Sequence, residues 1–196
     1  MPVLELRDLR RSAAEACVRR FGAELVHVDE GETIPGTFWG EPEAGLAGRK
    51  VYARPDTPVH SLLHELGHYV CMTEARRESL WRNAGGDADE ECAVCYLQVL
   101  LADVLPGVGR RRLLRDMDAW GYSFREGSAE AWWRGDARHA RAWLLGHGLI
   151  DAADRVTFGL RRHEKGVRAL FLTPTPGTAP SLAPGRGRES ASEKGP

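Results

Sequence analysis

The stretch His64-Glu65-Leu66-Gly67-His68 sets two imidazoles four residues apart, with a carboxylate next to the first. On a helix, residues i and i+4 lie one above the other, so both rings can reach a single ion. Glu65 is angled toward the same side and can take a proton from water activated by that ion, as amide hydrolysis requires. Zinc is the metal expected, because it favours imidazole and carboxylate ligands and leaves one position open. The bland alternative is two histidines and a glutamate on a partly exposed helix, which leaves three polar groups beside a Leu-rich stripe without a purpose.

Two histidines need a third protein ligand. Candidates are Glu90, Glu91, Asp87, Asp89, Cys71, Cys92, Cys95 and His60. Glu90 ranks first because it falls on the stripe of Ala93, Val94, Leu97, Leu100 and Leu101, and a glutamate aimed at a core needs a reason. Glu91, about 100° around the helix, is the alternative. His60 lies one turn before His64 and is expected outside the ligand set, as a supporting or surface residue. Cys92-x-x-Cys95 has no second C-x-x-C pair, so its thiols are expected in the core, with sulfur ligation the lesser option.

Asp56-Thr57-Pro58 is a helix start with Thr57 as N-cap and Pro58 in the first turn, and Val59, Leu62, Leu63, Leu66 and Val70 form its buried stripe. The histidine motif therefore falls mid-helix. After a polar loop containing Gly85-Gly86-Asp87, Glu90 to Val104 forms a second, strongly apolar helix ended by Pro106-Gly107. Upstream, Leu4 to Phe21 has helical spacing, and strands are expected at Glu24 to Asp29, Ile34 to Trp39 and Arg49 to Ala53, the last two joined by the Gly- and Pro-rich run 40–48. Downstream, Arg110 to Trp120, Ser128 to Trp133 and Asp136 to Leu145 read as helices. The aromatics of 120–143 are expected in the core and Asp116 and Asp118 as helix caps, with cleft-walling and histidine-orienting roles as alternatives. The expected fold is α+β, a small N-terminal sheet packed on the motif helix with a mostly helical C-terminal part. It forms one domain over residues 1–172, followed by a Pro-, Gly- and Ser-rich disordered tail over 173–196.

A net charge of -1 gives no long-range attraction to nucleic acid or anionic membrane, and no segment is apolar enough to span a bilayer. Of 27 basic residues only Lys50, Lys165 and Lys194 are lysines, a bias in composition rather than a site. The Arg-interrupted N-terminus lacks a secretory h-region, which points to the cytoplasm and to reduced thiols.

Together, Leu62-Leu63-His64-Glu65-Leu66-Gly67-His68 and Glu90-Glu91-Cys92-Ala93-Val94-Cys95-Tyr96-Leu97, with Leu100-Leu101 after it, resemble the gluzincin arrangement of the ImmA/IrrE-type metallopeptidase domain. The resemblance covers roughly residues 25 to 105 and departs at Val94, where the family usually has Asn, and at Pro106, which comes late. No helix-turn-helix segment accompanies it. It implies a zincin-like fold, Glu90 as third zinc ligand, and an edge strand that holds an extended protein or peptide substrate by β-augmentation. The activity implied is zinc-dependent peptide hydrolysis, as an endopeptidase. Related peptidases add an oxyanion-stabilising Tyr or His, for which Tyr69, Tyr96, Tyr122, His139, His147 and His163 are available. The alternative function is a zinc-binding, catalytically inactive interaction module of the same fold; a purely structural site would close the fourth position, for example with Cys71 or Cys95.

Overall fold

The computed structural model describes residues 2–162 and the backbone of Ser181–Leu182. It is a mixed α and β protein. A three-stranded sheet is built from β1 (Glu24–His27), β2 (Gly45–Ala47) and β3 (Lys50–Ala53), in the order β1-β3-β2. β1 runs parallel to β3 and β2 antiparallel to it. The helices are α1 (Arg11–Arg19), α2 (Val59–Cys71), α3 (Glu74–Glu78), α4 (Ala88–Val104), α5 (Arg110–Trp120), α6 (Ala129–Gly135) and α7 (Arg138–Gly146). A two-residue strand β4 (Tyr122–Ser123) pairs with β5 (Ser181–Leu182), and apart from β5 the expected tail over 173–196 lies outside the described residues. No helix among the described residues is long and apolar enough to cross a membrane.

Three elements differ from expectation for identifiable reasons. The helix expected over 4–21 is a 3-10 turn at Leu6–Asp8 followed by α1, because the segment before α1 is tied to the start of α2: Leu6 N donates to Thr57 O at 2.8 Å and Val59 N to Leu4 O at 2.8 Å. Residues 34–39 are not a strand. Pro35 has no N–H and Gly36 takes φ 76°, so the ladder reduces to one bridge, Thr37 to Gly45. The strand arises instead at Gly45–Ala47, inside the run expected to be a connection. There Gly45 is required, since a Cβ on it would sit 2.0 Å from Pro35 O.

The core is organised around α2 and α4. Val59, Leu62, Leu63, Leu66 and Val70 are all buried, each contributing about 1.5–3 kcal/mol of hydrophobic stabilisation. Thr57 does not cap α2; its Oγ1 accepts from Arg54 N at 2.9 Å, and the helix begins after Pro58. Asp87 caps α4, its Oδ1 accepting from Glu90 N at 2.8 Å. The two helices approach closely because Gly67 faces Val94: an added Cβ would lie 3.0 Å from Val94 Cγ1. Behind them the expected aromatic core is present, with Tyr122, Phe124 and Trp132 buried and stacked.

Candidate metal centre

α2 carries His64 and His68 on one face, with Nε2 atoms 3.0 Å apart. α4 brings Glu91 to them: Oε1 lies 3.3 Å from His64 Nε2, and Oε2 lies 3.5 Å from His68 Nε2. Among the described residues this is the group of ligand-bearing side chains that could hold a metal ion, its donor atoms all within 4.8 Å of one another. Four tetrahedral ligands at zinc–nitrogen and zinc–oxygen bond lengths are about 3.3 Å apart, so the spacing suits such an ion. Satisfaction of the polar atoms points the same way. Glu91 Oε1 is buried without a hydrogen-bond partner although it faces an imidazole nitrogen. A carboxylate and two ring nitrogens turned to one point form a donor set that could hold a cation.

Glu90, expected first as the third ligand, is turned the other way. Its Oε2 accepts from Arg76 Nη1 and Arg161 Nη1, both at 2.8 Å, in a buried ion-pair cluster that ties α3 and the segment at 161 to α4. The reason for keeping this glutamate in the interior is therefore two arginines. The face of α4 that looks at α2 runs through Glu91, Val94 and Gln98, at spacings of three and seven.

Gln98 is a site residue that the pattern reading passed over. Its Oε1 lies 2.8 Å from His64 Nδ1, both buried. An amide oxygen only accepts, so this contact puts the ring proton on Nδ1 and leaves the Nε2 lone pair available to a ligand, the arrangement that supports a metal-binding histidine. A Gln inside the otherwise apolar run Ala93 to Ala102, seven residues after Glu91, was the available signal. His68 is held well below the ordinary imidazole range by burial, with the charges of His64 and Arg76 adding to it, and so is neutral as a ligand must be.

Glu65 is buried and lines the same cleft as His64, His68 and Glu91. Burial, with the nearby carboxylates of Glu43 and Glu91 adding to it, raises its pKa well above the usual carboxyl range. That makes it a stronger proton acceptor than an exposed glutamate. Glu43 stands close by, accepting from Trp120 Nε1 at 2.9 Å.

The remaining candidates are elsewhere. His60 is buried against Trp120 and Tyr122, ring centroids 5.1 and 5.5 Å away, with neither ring nitrogen hydrogen-bonded among the described residues. Cys71, Cys92 and Cys95 are free thiols outside the group, as are Asp87 and Asp89. Asp116 accepts from Leu4 N and Arg112 Nε, and Asp118 from Ala129 N, so both tie α5 to its neighbours and neither orients a histidine. Of the oxyanion candidates, Tyr69, Tyr96, Tyr122, His139 and His147 do not line the cleft, and His163 lies outside the described residues.

The cleft, about 320 Å³, is walled by Phe38, Trp39, Arg82 and the stretch Asn83 to Gly86. The edge strand beside it is not open to augmentation. Leu46 accepts from Arg82 N at 3.1 Å and donates to Gly36 O at 3.2 Å, while Thr37 and Trp81 bridge to Gly45 and Ala47. Compared with known proteins, the chain matches no family model, no curated protein and no solved structure.

Proposed function

We propose that the chain is a zinc-dependent metallopeptidase of zincin-like architecture acting on protein or peptide substrates in the cytoplasm, as an endopeptidase. The observation that carries this is the convergence of His64, His68 and Glu91 on one point in an open cleft, with the Glu65 carboxyl beside them. The ligand set is nitrogen and oxygen with no thiol, which favours a catalytic site over a closed structural one. Zinc, when bound there, supplies a Lewis acid that polarises a carbonyl and lowers the pKa of water. Glu65 takes the proton from the attacking water and returns it to the leaving amine. His64, fixed by Gln98, and His68, kept neutral by burial, would hold the ion, and Glu91 would offset its charge. The test is zinc content and peptide hydrolysis of Glu65→Gln. Bound zinc with turnover abolished is expected; bound zinc with turnover retained removes Glu65 from the role of base.

A further inference from the structure

The large hydrophobic side chains exposed among the described residues are Phe38, Trp39 and Trp81, at 47%, 43% and 68%. All three sit on the two segments that close the outer edge of β2, and Phe38 and Trp39 form a wall of the cleft that contains Glu65. Their rings meet edge to face at 5.0 Å, a geometry in which each fixes the other. The loop beneath them is held from both sides. Thr37 Oγ1 is 3.1 Å from both Gly40 O and Gly40 N, and Arg82 Nε donates to Thr37 O at 2.9 Å. An exposed aromatic pair on a pinned loop, continuous with a metal-binding group, is a preformed apolar surface rather than a stray one.

Resting on the peptidase reading above, we infer that Phe38 and Trp39 determine specificity, receiving a large aromatic or aliphatic side chain of a peptide next to the bond presented to Glu65. The cleft volume admits one such side chain with its flanking backbone, and not a folded domain. Because the edge of β2 is sealed, side-chain packing on this wall takes over the discrimination that strand pairing would otherwise share. Arg82 is a positioning residue here, tying the aromatic loop to the opposite segment.

The experiment uses the full chain carrying Glu65→Gln, loaded with zinc, and fluorescein-labelled ten-residue peptides identical except for a central Phe, Leu, Ala or Asp. Fluorescence anisotropy is expected to give a Kd at least ten-fold lower for Phe and Leu than for Ala and Asp. In the background of Phe38→Ala with Trp39→Ala, the ratio is expected to fall below two-fold, with zinc content and melting temperature unchanged. If that double variant loses its fold, Trp39→Leu alone must lower the preference for Phe over Ala. Equal binding of all four peptides, or a preference that survives these substitutions, overturns the inference. Hydrolysis by the unsubstituted zinc-loaded chain is measured in parallel. Aromatic preference without hydrolysis rejects the peptidase reading and leaves the recognition wall standing; hydrolysis without preference does the reverse.

Discussion

Glu90 and Glu91 are adjacent in the chain, yet they meet opposite partners: Glu90 two arginines, Glu91 two histidines. Glu91→Ala is expected to bring zinc stoichiometry well below one while leaving the fold intact, because it removes a donor from the His64–His68 pair. Glu90→Gln is expected to keep zinc and to lower stability on the order of 3 kcal/mol in urea unfolding, since Arg76 and Arg161 lose the carboxylate that offsets their charge. Metal analysis and denaturation of the two variants separate the roles. Gln98→Leu is expected to weaken zinc binding by about 10–100-fold in chelator competition, through loss of the constraint on the His64 ring. At this scale the placement of His64 and His68 on one face of a helix was legible in the sequence, because an i,i+4 pair fixes its own geometry. The sequence ranked Glu90 ahead of Glu91 on an apolar stripe that does not orient the helix: Ala93 through Ala102 are all buried, so α4 has no opposing polar face, and it is Glu91 that meets the histidines.

Among elements, the α2–α4 contact sets the distance between the two halves of the centre. Gly67 costs α2 about 1 kcal/mol of helix propensity, and the close approach of Val94 is what the position gains in return. Gly67→Ala is therefore expected to be destabilising alone and neutral or stabilising in a Val94→Ala background. The double-mutant coupling should exceed about 0.5 kcal/mol in thermal or urea unfolding, and additive effects would place the contact elsewhere. The helices were legible from periodicity and capping, and α4, α5 and α7 start within two residues of expectation. The strands were less so. Ile34 to Trp39 has strand composition, but Pro35 and Gly36 break its ladder, and β2 formed where glycines suggested only a turn. Pairing partners distant in the chain decide such short strands, and composition does not record them.

For the whole molecule, His60 couples the fold to acid. Burial, with the charge of His64 adding to it, lowers its pKa from 6.5 to about 3. In the unfolded chain it binds a proton below about 6.5; in the folded one it stays neutral until about 3. The unfolded state thus holds more protons across that window, and stability declines as the pH falls through it. Between pH 7 and pH 4 this group alone contributes a loss of ~3 kcal/mol. Urea unfolding of His60→Leu at the two pH values is expected to show a smaller acid loss than the unsubstituted chain by that order. An identical loss would assign acid sensitivity to other groups. The sealed margin of β2 has a further bearing on how the protein behaves in a crowded solution. An open strand margin is a template on which other chains can add, and here the backbone of Leu46 is already claimed by Gly36 and Arg82. The loops that shape the cleft are thus also guards against aggregation, and any redesign of the 36–39 loop to alter selectivity would have to preserve that protection or yield a chain prone to assemble with itself.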